Sequence, residues 1–110
     1  MKKILIIDDE INLTDTIAMF LSNKNFSVIT AYNGIDGIQK AIEHSPDIIV
    51  CDITMPELNG YDVFNTLSDI NSTKSIPFVF LTAKSSSKDI LFGLQLGADS
   101  YITKPFDLNI

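Results

Sequence analysis

Two short, wholly apolar runs that each end in acidic residues constrain this sequence more than any other feature. Residues 4–7 have the sequence Ile-Leu-Ile-Ile and are followed by three acidic residues at 8–10. Residues 48–51 have the sequence Ile-Ile-Val-Cys and are followed by Asp52. A continuous apolar run of this length is typical of a strand that is buried on both faces. The two runs therefore predict buried strands with carboxylates at their ends.

Strand patterns and helix patterns alternate along the whole chain. The predicted strands are residues 4–7, 26–31, 48–51, 78–81 and 100–103. Between them, apolar residues recur at helical spacing, with the third helix carrying Val63, Phe64, Leu67 and Ile70 and the fourth ending before Gly97. Such alternation predicts a parallel sheet with helices on both faces, and right-handed crossovers favour a doubly wound α/β fold. The alternation by itself leaves the strand order open.

The composition excludes several classes of function. The 110 residues are enough for one domain with its own core. There are 8 basic residues, all of them Lys, against 14 acidic ones, and the net charge of −6 argues against direct nucleic-acid binding. A single Cys excludes an internal disulfide, and a single His leaves little for a zinc site. Since no apolar run is long enough for a signal peptide or a membrane span, we expect a cytoplasmic domain.

Polar residues follow four of the five predicted strands. They are Asp8, Asp9, Asp52, Thr82 and Lys104. Parallel strands bring their carboxyl ends to one edge of the sheet, where α/β proteins bind ligands, so we expect these residues to share a pocket. Three carboxylates in one pocket repel one another unless a cation is present, and hard oxygen ligands suit Mg²⁺. A Lys and a hydroxyl opposite the metal would bind a second anionic group, which suggests phosphoryl transfer.

Five short motifs occur along the chain in an order that is typical of one known family. They are Asp8-Asp9-Glu10, Asp52 to Pro56 with Gly60, Thr82-Ala83, Gly97 to Tyr101, and Lys104-Pro105-Phe106. With them the sequence resembles the receiver domains of two-component response regulators, over nearly its whole length. The resemblance implies a flavodoxin-like fold with the strand order 2-1-3-4-5. It also implies a phosphoacceptor signalling domain, which assists its own phosphorylation and dephosphorylation, rather than an enzyme.

The resemblance assigns the acceptor and the metal ligands. Asp52 would accept a phosphoryl group from the phosphohistidine of a sensor histidine kinase or a phosphotransfer domain. Asp9 and Asp52 would bind Mg²⁺ directly, and the backbone carbonyl of Thr54 would be a third protein ligand. Asp8 would bind the ion directly or through water.

The resemblance also assigns the residues of a switch. Lys104 and Thr82 would hold oxygens of the phosphoryl group, and Tyr101 would turn inward as Thr82 moves. The family's usual output face includes the fourth helix and the fifth strand. Phe92 lies outside the apolar stripe of the fourth helix, and we hypothesise that it contacts a downstream effector or a second copy in a homodimer.

Plainer interpretations exist for each of these residues. The acids at residues 8–10 would also be stabilised by the dipole of the helix that follows them. Thr82 is also compatible with an ordinary strand residue, and Lys104 with a surface residue. Tyr101 is also compatible with a half-buried aromatic residue in a strand. Cys51 is most simply a small buried hydrophobic residue.

Two other functions would use the same architecture. A haloacid-dehalogenase-type phosphatase also has a strand-end Asp and Mg²⁺, but it needs a second Asp two residues later, where this chain has Thr54. A flavodoxin-like cofactor binder must cradle a phosphate in its first loop, and Asp8 and Asp9 would repel one in the absence of a metal.

The chain ends close to the point where the family begins its fifth helix. Residues 106–110 would be the start of that helix. We therefore expect a receiver domain over residues 1–110 that is truncated before the fifth helix. One face of the first and fifth strands would then lack cover.

Overall fold

The structure is a computed structural model that describes residues 1–82 and 100–103, with side chains described for residues 1–81. In chain order its elements are β1 (Lys3–Ile7), α1 (Ile11–Ser22), β2 (Ser27–Ala31), α2 (Gly34–His44), β3 (Ile48–Asp52), α3 (Gly60–Ser68), β4 (Phe78–Thr82) and β5 (Ser100–Thr103). The predicted fourth helix and the predicted start of a fifth lie outside the described residues. Every helix that is described is too short or too polar to cross a bilayer.

All five strands are parallel and belong to one sheet, in the order β2-β1-β3-β4-β5. This confirms the doubly wound, flavodoxin-like fold with the strand order that the resemblance implied. The chain runs from β1 outward to β2 and returns to the other side of β1 to form β3, so the order reverses between β1 and β3. Ile7 near the end of β1 lies opposite Cys51 in β3. In such sheets the crevice at the reversal point is the usual ligand site.

Side chains of the strands alternate between two apolar layers, one on each face of the sheet. The larger layer packs α2 and α3 on the sheet, and it includes Leu5, Ile7, Ala41, Cys51, Val63, Leu67 and Phe80. The smaller layer packs α1 on the other face, and its buried members are Ile4, Ile6 and Ile17. Because both faces of β1 are covered, an uninterrupted apolar run is what this strand requires.

The third helix is shorter than its apolar pattern predicted. It ends at Ser68, and Ile70, which we expected on it, lies in the turn that follows. The amides of Asp69 and Ile70 donate to carbonyls three residues back, at Thr66 and Leu67, over 3.2 and 3.3 Å. This tighter hydrogen-bond pattern commonly ends an α-helix. Ile70 is half-buried and still packs on the core, so the pattern identified its burial correctly and its element wrongly.

Candidate functional site

The carboxyl ends of β1 and β3 bring three carboxylates together. Asp8 and Asp9 follow β1, and Asp52 is the last residue of β3. One carboxylate oxygen from each of the three lies within 4.8 Å of the other two. Asp8 is 0% exposed and Asp52 is 4% exposed, whereas Asp9 is open to solvent. At these separations the three anions repel one another, and a set of hard oxygen donors of this kind fits a divalent cation such as Mg²⁺.

Hydrogen bonds to the backbone fix the first of these carboxylates. The N–H of Asp8 donates to the carbonyl of Ala31 over 3.0 Å, which extends the pairing of β1 with β2 by one residue. The Oδ1 atom of Asp8 accepts from the N–H of Glu10, also over 3.0 Å. Helix α1 begins only at Ile11, and its first turn contains no acid. Asp8 is therefore a buried residue with fixed hydrogen bonds and not a solvated charge at a helix end.

Thr14 lies on α1 and contacts the backbone of the turn at residues 8–10, a contact that was not predicted from the sequence. Its side chain on α1 is fully buried, and its hydroxyl donates to the carbonyl of Glu10 over 2.8 Å. The same hydroxyl lies 3.3 Å from the carbonyl oxygen of Asp8, which is outside the helix. The sequence contained one indication of this role. Thr14 is a hydroxyl residue one turn before Ile17, on the face of α1 that packs on the sheet.

Close packing of α3 against the end of β3 fixes the position of Asp52. The N–H of Ile53 continues the pairing with β4 by donating to Leu81 over 3.0 Å. The N–H of Gly60, the first residue of α3, donates to the carbonyl of Ile53 over 2.8 Å. A Cβ atom at Gly60 would overlap with the carbonyl oxygen of Asp52 and would lie 2.8 Å from the Cα of Ile53. Glycine is therefore required for this close approach.

The loop between β3 and α3 is anchored at both ends. Ile53 and Met55 are buried near its start, and Thr54 between them is exposed. At its other end, Asn59 and Asp62 form a reciprocal capping box, with N···O distances of 2.9 and 3.1 Å. Thr54 thus follows Asp52 on the open side of the loop. The role of its carbonyl as a metal ligand stays a prediction.

The remaining predicted residues lie partly or wholly outside the described side chains. Thr82 ends β4 and pairs with Thr103 in β5, and Tyr101 pairs with Phe80. The side chains of Thr82 and Tyr101 are not among those described, and Lys104 and Phe92 lie outside the described residues altogether. Their assigned roles stay predictions. The residues that the structure does bring together are the three acids.

Cys51 lies next to the site but takes no part in it. The thiol is fully buried and donates to the carbonyl of Asp52 over 3.4 Å. Burial raises the pKa of Cys51 well above its ordinary value, and the nearby charges of Asp52 and Asp8 raise this pKa further. The thiol is therefore neutral at physiological pH. This agrees with the prediction that Cys51 is a small buried hydrophobic residue.

Fold and site together define a class of protein. It is a parallel α/β domain of flavodoxin-like topology, with an acidic, metal-compatible site where the strand order reverses. A family model described as the response regulator receiver domain matches residues 4–109. The chain belongs to this family of signalling domains, which confirms the resemblance found in the sequence.

Individual relatives support this membership. The chain is 41% identical over 108 residues to the response regulator ArlR of Staphylococcus aureus, a match that covers 98% of the chain and 48% of that protein. The chain thus spans about half the length of the curated relatives it matches. Among solved structures, it is similar to the chemotaxis protein CheY4 of Vibrio cholerae, with a TM-score of 0.92, 28% identity, and coverage of 99% of this chain and 91% of that one. The non-phosphorylated HemR receiver domain of Leptospira biflexa gives a TM-score of 0.88 at 29% identity, with coverage of 99% and 86%.

Proposed function

We propose that Asp52 is the phosphoacceptor of this receiver domain and that phosphorylation depends on Mg²⁺. The observation that carries the proposal is the group of three carboxylate oxygens, from Asp8, Asp9 and Asp52, within 4.8 Å of one another. Asp52 is the member that lies within a strand, and its backbone is held by pairing with β4 on one side and by α3 on the other. Such a carboxylate is fixed in direction, as an in-line displacement at phosphorus requires.

The proposed reaction is a phosphoryl transfer from a phosphohistidine of a kinase or phosphotransfer domain. A carboxylate oxygen of Asp52 forms a new P–O bond while the P–N bond to imidazole breaks. The imidazole nitrogen leaves with the electron pair and takes up a proton, and Asp52 becomes an acyl phosphate. When bound, Mg²⁺ supplies positive charge that offsets the charge on the phosphoryl oxygens. Asp9 and Asp52 would hold the ion directly and Asp8 directly or through water, with the carbonyl of Thr54 as a further ligand.

The proposal extends to the switch and to the output of the domain. Thr82 and Lys104 hold oxygens of the new phosphoryl group, and Tyr101 follows the movement of Thr82. Added charge at Asp52 then biases the face of the fourth helix and β5, including Phe92, toward a downstream effector or a homodimer. The same site assists hydrolysis of the acyl phosphate. We propose a cytoplasmic location for the domain, since that is where a kinase donor of this type would meet it.

Acetyl phosphate, a small phosphodonor, tests the assignment directly. With Mg²⁺ present, intact-mass measurement of the wild-type protein is expected to show the addition of one phosphoryl group. Asp52→Ala is expected to abolish the addition, and chelation of Mg²⁺ is expected to do the same. Asp69→Ala is the matched control, since Asp69 is an exposed acid at the end of α3. Labelling that survives Asp52→Ala, or that needs no divalent cation, would contradict the proposal.

A further inference from the structure

We propose that Thr14 is a positioning residue for the turn that carries the metal-binding carboxylates. The proposal rests on the function proposed above, and it adds a residue from outside the acidic cluster. Thr14 touches no reacting group. It acts through the backbone of the turn that precedes α1, where Asp8 and Asp9 lie.

The first step is the burial of the Thr14 hydroxyl. Thr14 is 0% exposed and sits on the face of α1 that carries Ile17. An apolar side chain here would avoid the cost of taking a hydroxyl out of water. A hydroxyl in such a place has to be compensated by hydrogen bonds. Its partners therefore identify what it does.

The second step is the position of those partners on either side of Asp9. The hydroxyl donates to the carbonyl of Glu10 over 2.8 Å and lies 3.3 Å from the carbonyl of Asp8. Asp9 is the residue between them. The Asp8 carbonyl belongs to the peptide group just before Asp9, and the Glu10 carbonyl belongs to the peptide group that follows Glu10. One buried hydroxyl on α1 thus contacts the backbone at both ends of the short segment that carries the exposed carboxylate of Asp9.

The third step is a comparison with Thr16, two residues further along α1. The Thr16 hydroxyl donates to the carbonyl of Asn12 over 2.8 Å, which is the same bond within the helix that Thr14 makes to Glu10. Thr16, however, is exposed. Its bond is the ordinary local contact of a helical threonine. What distinguishes Thr14 is its burial and its reach to Asp8, a residue that precedes the helix.

The geometry also predicts what happens when the hydroxyl is replaced. In Thr14→Val, a methyl group in the place of the hydroxyl would lie 2.8 Å from the carbonyl oxygen of Glu10. This is shorter than an ordinary carbon–oxygen contact, so the turn or the side chain has to move. In Thr14→Ala, nothing takes the place of the hydroxyl, and both carbonyls lose its contact. Thr14→Ser keeps the hydroxyl and loses only the methyl group.

Calorimetric titration of the purified domain with Mg²⁺ tests the proposal. Thr14→Val and Thr14→Ala are expected to bind Mg²⁺ about threefold to tenfold more weakly than the wild type. This is less than the roughly tenfold to hundredfold loss that is typical when a direct hydrogen-bond partner of a metal ligand is removed, because Thr14 acts through the backbone. Thr14→Ser is expected to bind within about twofold of the wild type. Thr16→Val is the matched control, because it removes the same helical bond at an exposed site, and its affinity is expected to be unchanged.

A measurement on the metal-free protein separates positioning from loss of stability. The N–H of Glu10 donates to the carboxylate of Asp8, so its rate of hydrogen exchange reports on the order of the turn. Exchange at Glu10 is expected to accelerate in Thr14→Ala and to stay as in the wild type in Thr16→Val. Wild-type Mg²⁺ affinity in both Thr14→Ala and Thr14→Val would overturn the role of Thr14. Failure of the wild type itself to bind Mg²⁺ would instead overturn the function proposed above.

Discussion

The two acidic segments of the site are held in place by different means, although both leave the ends of neighbouring strands. The turn at residues 8–10 is held by hydrogen bonds, including one from the backbone of Asp8 to β2 and one from Glu10 to the Asp8 carboxylate. The loop at residues 53–59 has hydrogen bonds at its two ends as well, but close packing holds it in addition, because Ile53 and Met55 are buried and Gly60 lies against the backbone at Asp52.

Because of this difference, substitutions in the two segments are expected to act in different ways. A turn held by polar contacts responds to the loss of a donor, an acceptor or a charge. A loop held by close packing responds to added volume and to the loss of buried surface.

Gly60→Ala is expected to have the largest effect on stability. Its Cβ atom would overlap with the carbonyl oxygen of Asp52, which belongs to the backbone and cannot rotate away. We expect the free energy of unfolding to fall by about 3 kcal/mol, as measured by urea denaturation. Ser68→Ala on the same helix is the control, since Ser68 is exposed and makes only a local bond to Phe64. Equal stability of the two variants would show that the close approach at Gly60 is not a constraint.

Asp8→Asn is expected to change metal affinity and stability in opposite directions. Asparagine can still accept the bond from Glu10, but the buried charge beside Asp9 and Asp52 is lost. Affinity for Mg²⁺, measured by calorimetry, is expected to fall roughly tenfold or more. The metal-free protein is expected to gain stability in urea denaturation, because one of three mutually repelling anions is gone.

The control for Asp8→Asn is a variant with the same change in net charge. Glu43→Gln removes one negative charge from an exposed side chain near the end of α2, away from the acidic cluster. Its Mg²⁺ affinity is expected to stay close to that of the wild type. If Asp8→Asn destabilised the metal-free protein, repulsion within the cluster would not be the dominant force at Asp8.

Cys51 is expected to make stability depend on pH in the alkaline range. Because burial raises the pKa of its thiol in the folded state, stability is unaffected below the ordinary thiol pKa. Above that value the unfolded chain loses its thiol proton while the folded protein keeps it, so stability falls as pH rises. Between pH 8 and pH 10 the wild type is expected to lose roughly 1–2 kcal/mol relative to Cys51→Ala, by urea denaturation at each pH. Parallel pH profiles for the two proteins would contradict the expected protection of the thiol.

Asn59→Ala is expected to give the smallest of these effects. Asn59 caps α3 by accepting from the N–H of Asp62, whereas Glu10 at the start of α1 makes no side-chain cap. Loss of the Asn59 cap is expected to lower the free energy of unfolding by about 1 kcal/mol. Asn59→Ser keeps an oxygen that can accept from the N–H of Asp62, and it is expected to change the free energy of unfolding by less than about 0.5 kcal/mol. An equal loss in both variants would mean that the cap made by the Asn59 side chain does not stabilise α3.

The sequence predicted the strands and the carboxylates because both depend on local pattern. Asp8 and Asp52 each end an apolar run, and parallel pairing then brings the ends together. Local sequence pattern does not predict the role of Thr14, since its contact with Asp8 depends on how α1 packs against the turn. Local pattern also does not predict the end of α3. The apolar spacing continues to Ile70, although the backbone changes to hydrogen bonds between residues three apart after Ser68.

The interior position of β1 leaves one of its edges unpaired early in synthesis and folding. β1 is synthesised before any other strand, yet its second edge is not paired until β3 has been added. Until then the apolar run at residues 4–7 is open to other chains, and segments of this kind promote aggregation. Charged residues stand on both sides of it, Lys2 and Lys3 before and Asp8 and Asp9 after. The carboxylates that form the site therefore also help to keep the nascent strand from associating with its neighbours.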